Sequence, residues 1–121
     1  MAGIRHIEFW VSNMDRSLAF YEPVFAALGW EHMDANSFRW EGMRIYFREI
    51  ATIEGVARGE CFGPRHLCFG AENRSVVDII AKHLQQSAVD VLHGPAELHP
   101  GHYMVVFKDP DGYILEVTFK K

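Results

Sequence analysis

The chain has 121 residues and a net charge of −4, with 23% charged residues against 49% from the set AVILMFWYC. That mixture excludes general disorder, and its acidic balance argues against a nucleic-acid partner. A chain of this length buries enough surface to fold without a disulfide or metal framework.

Two cysteines, Cys61 and Cys68, fit a reducing compartment. No apolar run reaches the roughly 18 residues of a membrane span. Met1 to His6 lacks the shape of a signal peptide, so a cytoplasmic protein with no membrane partner is expected.

Residues 4–11 alternate as a strand does, with Ile7, Phe9 and Val11 on one side and His6, Glu8 and Trp10 on the other. Asn13 or Asp15 caps a helix expected to reach about Leu28, where Gly29 stops it. Leu18, Tyr21, Val24, Phe25 and Leu28 form its apolar stripe. Pro23 removes a backbone donor inside that stretch, which predicts a kink or a shortened helix. Three short strands follow at about 30–34, 36–40 and 43–50, the last two joined around Glu41-Gly42. Residues 51–63 read as a linker.

Arg65 to Phe69 then restarts the pattern of Arg5 to Phe9, and Asn73 stands, like Asn13, where a helix begins. Val76, Ile80, His83, Leu84 and Ser87 are expected on one face of it. Residues 90–93 predict a short strand and His99-Pro100-Gly101 a turn. Two further strands, 103–107 and 113–119, flank the turn Lys108-Asp109-Pro110-Asp111-Gly112. The chain therefore reads as βαβββ, linker, βαβββ, a duplicated unit with modules at about 4–50 and 64–119. Arg5-His6 aligns with Arg65-His66, and Gly42 with Gly112.

This repeat sets His6 and His66 at equivalent points, and the last strand adds Glu116 on the face of Ile114 and Thr118. Two neutral imidazoles and one carboxylate converging from three strands would hold a divalent metal ion, with positions left open for substrate or water. Each residue alone has a plainer reading, as a packed strand histidine or a surface carboxylate. The symmetry is what favours ligation.

The run His6-Ile-Glu-Phe-Trp-Val-Ser-Asn-Met-Asp-Arg-Ser-Leu-Ala-Phe-Tyr21, with Leu28-Gly29-Trp30, resembles the opening of the vicinal oxygen chelate superfamily. Phe107-Lys-Asp-Pro-Asp-Gly112-Tyr-Ile-Leu-Glu116-Val resembles its closing strand pair. The likeness spans essentially the whole chain as a single domain, 1–121. It implies an α+β fold of two βαβββ modules forming a cup-shaped mixed sheet, the fold of the glyoxalases, bleomycin-resistance proteins and dihydroxybiphenyl dioxygenases. By position it implies His6, His66 and Glu116 as ligands of a divalent metal ion, whether Zn, Ni, Mn or Fe(II). It also implies a homodimer whose sites draw on both chains' modules.

The pattern departs from glyoxalase I, where the first module's last strand supplies a fourth ligand. Tyr46 stands at the position equivalent to Glu116, and Glu49 falls on the opposite face. A His-His-Glu set resembles the extradiol dioxygenases and the fosfomycin-resistance thiol transferases. The latter carry a basic, hydroxyl-rich pocket near the closing strands, whereas Glu97 to Val106 offers His99, His102 and Tyr103 but no Lys or Arg.

Strand parity sets Glu8 and Trp10 beside His6, and Arg44, Tyr46 and Arg48 on one face of their strand. Trp10, Arg44, Tyr46 and Arg48 are thus the expected substrate pocket, unless the arginines are solvated sheet-edge charges. Glu8 is the candidate general base, its plainer alternative being a surface carboxylate paired with an arginine. His102 and Tyr103 are candidate acids or hydrogen-bond donors, while Cys68 reads as a small buried residue. The expected function is a glyoxalase-like lyase or isomerase acting on a small molecule chelated through vicinal oxygens. Extradiol-type dioxygenase chemistry and metal-free ligand binding in the manner of the bleomycin-resistance proteins are the alternatives.

Overall fold

The computed structural model describes residues 2–50 and 63–121, which divide into two compact units on either side of residues 51–62. Apart from Gly63, the linker expected over 51–63 lies outside the described residues. The first unit, module 1, comprises β1 (His6–Val11), α1 (Met14–Leu28), β2 (Glu31–Asp34), β3 (Ser37–Trp40) and β4 (Met43–Glu49). Module 2 comprises β5 (Leu67–Gly70), α2 (Arg74–Gln85), β6 (Val91–His99), β7 (His102–Lys108) and β8 (Ile114–Lys120). Each module is βαβββ, and their sheets repeat one order, β1-β4-β3-β2 and β5-β8-β7-β6. The first and last strands of each module pair in parallel, and the remaining neighbours are antiparallel.

Local chemistry explains the helix ends. Asn13 holds extended backbone and its side chain accepts the Arg16 N–H, while Asn73 does the same for Val76. Gly29 ends α1 at φ 84°, a left-handed position that suits glycine. Pro23 does not shorten the helix, which runs through it. Both Pro23 and Ala19, whose carbonyl loses its partner, are exposed, so water can take that bond.

The cores differ in material. In module 1, α1 buries Ser17, Phe20, Tyr21, Val24 and Phe25, displacing the predicted Leu18 and Leu28 to half-buried flanks. Tyr21 packs on Phe47 with ring centroids 4.7 Å apart, and Phe25 stacks on Phe38 at 4.6 Å. The Ser17 hydroxyl is buried there without a hydrogen-bond partner among the described residues. Module 2 buries mainly aliphatic side chains: Val77, Ile80, Ala81 and Leu84 of α2 against Val105, Leu115 and Val117, with Phe69 and Phe107. Ile80 and Leu84 are buried on α2 as expected, but Val77 and Ala81 complete the face, and Val76, His83 and Ser87 lie at its half-buried margin.

Two further expectations change. Strand β6 runs over nine residues rather than stopping at 93, because three irregularities in its pairing with β7 absorb the Gly94-Pro95 step on an edge strand. Strand β5 begins at Leu67, leaving His66 just before it. The turn into β8 forms as expected: buried Asp109 accepts the N–H groups of Asp111 and Tyr113 at 2.9 and 2.8 Å.

Candidate functional site

The open face of each sheet, away from its helix, carries the chemistry. In module 1, Ile7, Phe9 and Val11 turn inward toward the core, so His6, Glu8 and Trp10 turn outward. Register places His6 beside Arg44, Glu8 beside Tyr46 and Trp10 beside Arg48. The expected pocket residues do share one face. His6 meets the Tyr46 ring edge-on with centroids 5.7 Å apart. Arg44 lies 5.6 Å from the Tyr46 centroid, and its Nη1 donates to the Tyr46 hydroxyl at 3.1 Å. The Glu8 carboxylate accepts from the Trp10 indole at 2.9 Å rather than from an arginine. Arg48 is exposed. Glu49 points elsewhere, accepting the Met14 N–H at the start of α1 at 2.8 Å.

In module 2, register pairs Cys68 with Glu116 and Gly70 with Thr118. His66 Nε2 stands 3.3 Å from Glu116 Oε2, with the carboxylate side chain 19% exposed and the imidazole 43%. Two donors bound to one ion at about 2.1 Å stand roughly 3.0 to 3.4 Å apart between octahedral and tetrahedral angles, so this separation suits a shared ion. Within module 2 no third His, Cys, Asp or Glu completes a metal-sized group among the described residues.

Cys68, expected to be buried, is exposed instead; it lies 3.4 Å from the Thr118 hydroxyl, and partial desolvation pushes its thiol upward, with the Glu116 charge adding to the shift. It is not an activated thiol.

The other two candidates separate. His102 is opposite Lys120 and shares the Glu116 face, since Val106 is the partner of Glu116. Four residues of strand, about 13 Å, lie between the His102 and Val106 positions. Tyr103 faces the helix side instead, where its hydroxyl donates to Asp78 at 2.5 Å and Arg74 lies 4.5 Å from its ring centroid. The hydrogen bond to Asp78, with burial, raises the Tyr103 hydroxyl above its ordinary value. Tyr103, expected as an acid or hydrogen-bond donor near the closing strands, is thus turned off the Glu116 face by one residue of strand parity. Conversely, half-buried Lys108, just beyond the Glu97–Val106 segment that holds no Lys or Arg, shares the Glu116 face opposite Ile114. Continuing the parity two residues past Val106 would have found it.

Paired βαβββ units, with His6 on the first strand of one, His66 just before the first strand of the other and Glu116 on its last, define a glyoxalase-type scaffold. The chain belongs to the Glyoxalase/Bleomycin resistance protein/Dioxygenase superfamily, whose pattern matches residues 3–117. It is 31% identical to a metallothiol transferase FosB of Shouchella clausii, over 95% of this chain and 78% of that protein. It is 28% identical to the uncharacterized protein YqjT of Bacillus subtilis, over 95% and 97% of the two chains. Among solved structures, a candidate glyoxalase from Bacillus halodurans superposes with a TM-score of 0.81 at 22% identity, covering 96% of this chain and 94% of its own. Among the described residues no helix is long and apolar enough to cross a membrane.

Proposed function

We propose that the protein is a metal-dependent enzyme in which His6, His66 and Glu116 hold one divalent ion and a small substrate binds through two vicinal oxygens. The observation that carries this reading is the approach of His66 Nε2 to Glu116 Oε2, 3.3 Å, at two positions where the resemblance to the family implies ligands. Both donors are of the type that binds Zn, Ni, Mn or Fe(II). When bound, such an ion acts as a Lewis acid toward charge developing on a substrate oxygen. Because module 2 supplies two donors, the third, His6, comes from module 1 of the same chain or of a second copy in a homodimer.

Around His6, the chain's own groups divide the work. Trp10 orients the Glu8 carboxylate, which is placed to take a proton from a bound substrate carbon or thiol. Arg44, Tyr46, Trp10 and Arg48 form the face against which the substrate lies. Addition of a thiol to a small electrophile is the reaction favoured by the FosB relatives, and Lys108 supplies a cation on the Glu116 face. Glyoxalase-like isomerisation is the second reading, favoured by a carboxylate two residues from His6 on the same strand face. His102, distant from Glu116 along the strand, and Tyr103, on the helix face, are given no part in this chemistry.

Elemental analysis and titration with Mn(II), Zn(II), Ni(II) and Fe(II) test the metal. One ion per site is expected, and failure to take up any of the four overturns the reading. With the ion bound, loss of free thiol in the presence of an epoxide marks transfer. Turnover of a hemithioacetal without thiol loss marks isomerisation. Oxygen uptake with catechol under Fe(II) would instead mark a dioxygenase.

A further inference from the structure

Across the open face of module 1, one cross-strand row reads Glu31, Arg39, Arg44, His6. Arg39 is neutralised within the row by Glu31 at 3.0 Å. Arg44 is half-buried and has no ion-pair partner among the described residues; its neighbours in the row are Arg39 and His6. Both nearby carboxylates are committed elsewhere. Asp34 accepts the Ser37 hydroxyl at 2.8 Å and the Asn36 N–H at 3.2 Å, bonds that hold it below the usual carboxylate range, and it feels Arg44 only as a weaker, more distant charge. Glu8 is turned to Trp10.

A partly desolvated guanidinium with no carboxylate against it is unfavourable until an anion arrives. Here it is also held in place. One Arg44 N–H is spent on the Tyr46 oxygen at 3.1 Å, and among the described residues the rest of the donor fork is free. Because that oxygen accepts from Arg44, the Tyr46 proton is free to point outward. The result is a cation and a hydroxyl donor presented side by side, next to a proposed metal ligand.

We propose that Arg44 and the Tyr46 hydroxyl form a carboxylate-binding pair, so that the substrate is a small carboxylic acid carrying a vicinal oxygen pair. A singly charged carboxylate fits better than a dianionic phosphoryl group, since Arg44 brings one uncompensated charge and Arg39 is already neutralised. This deepens, and rests on, the metal-dependent reading.

The test compares two probes that chelate alike and differ in charge, catechol and 3,4-dihydroxybenzoate, by calorimetry on the Mn(II)-loaded full chain. The acid should bind at least tenfold tighter, as a charge-assisted pair gives. Arg44→Met should bring the ratio to within about twofold, Arg44→Lys should keep part of it, and Tyr46→Phe should reduce it a few-fold. No preference in the native chain, or a preference that survives Arg44→Met, overturns the proposal. If the chain takes up no metal, that failure belongs to the ligand set. The carboxylate pair is then read on the metal-free chain by titrating benzoate and following the His6 ring by NMR. A shift abolished by Arg44→Met supports the pair, and no shift overturns it. Thermal melts of Arg44→Lys and Arg44→Met confirm that both variants fold.

Discussion

In module 1 the open-face acid sits on the first strand, at Glu8, opposite Tyr46 on the last strand. In module 2 the first strand carries Cys68 and the last carries Glu116. The frame beneath this exchange is conserved between the halves. His6 and His66, Asn13 and Asn73, and the buried helix positions 17, 20, 21, 24 and 77, 80, 81, 84 stand sixty residues apart. Duplication kept what specifies the backbone and freed the outward side chains to diverge. On the proposed reading, module 2 became the donor pair for an ion, while module 1 kept one imidazole and acquired the groups that recognise substrate.

Substitutions at matched positions can break this comparison. The largest effect is expected in the cores. Phe47, in the aromatic stack of module 1, should cost about 3–5 kcal/mol as Phe47→Ala, against roughly 2 for Val117→Ala in module 2. Chemical denaturation measures both, and equal losses would deny that the aromatic core is the more demanding one. Next comes the donor pair. His66→Ala should weaken metal binding about 100-fold or more, roughly 2.7 kcal/mol, with His83→Ala as the unaffected control. Metal content unchanged by His66→Ala sinks the ligand set.

The caps are predicted to behave alike, each Asn→Ala at 13 and 73 costing about 1 kcal/mol, and a clear inequality would show that the repeated cap is not energetically repeated. Ser17 should move the other way. Its matched residue is Val77, and removing the buried unpartnered hydroxyl as Ser17→Ala should stabilise by up to about 1 kcal/mol in the same assay.

The smallest effect is the tie between Tyr103 and Asp78. Hydrogen bonding raises the Tyr103 hydroxyl above its ordinary 10.0, so the folded state keeps its proton longer than the unfolded chain. Its stabilisation is full below that ordinary value and fades as pH rises through the raised one. Tyr103→Phe should cost less than about 1 kcal/mol at neutral pH and flatten this alkaline decline. An unchanged decline in the variant would assign it to other groups.

Much of this was legible in residues whose local chemistry acts alone. Asn13, Asn73, Gly29 and the Asp109–Gly112 turn each specify one backbone event, and all occur where expected. What was not legible depends on partners. Val76 and Val77 are alike, and Ala81 is too small to stand out, so the α2 stripe is ambiguous until the sheet chooses a face. Gly94-Pro95 reads as a break because sequence does not reveal an edge strand that tolerates irregular pairing. Parity set Glu8 and Trp10 on one face of β1 and Arg44 and Tyr46 on one face of β4, since both alternate regularly, while the parallel pairing of the two strands is what brings the faces together. Tyr103 required the register of β7 on β8, which the turn at 109–112 sets. That Glu8 chooses Trp10 over an arginine is a matter of side-chain rotamers, which no spacing encodes.

The position of the last strand in each sheet has a consequence for how the chain acquires its structure. β4 and β8 are made last in their modules, yet each lies inside its sheet, between the first strand and the third. Neither sheet can be completed from its beginning. Until residues 114–120 leave the ribosome, β5 and β7 have no strand between them and both present unpaired edges. Module 1 has all its strands by Glu49, and the further residues to Lys120 take roughly 4–14 s at ordinary synthesis rates. During that interval module 2 is the half exposed to mispairing, and a chain stopped short of Ile114 would leave it permanently so.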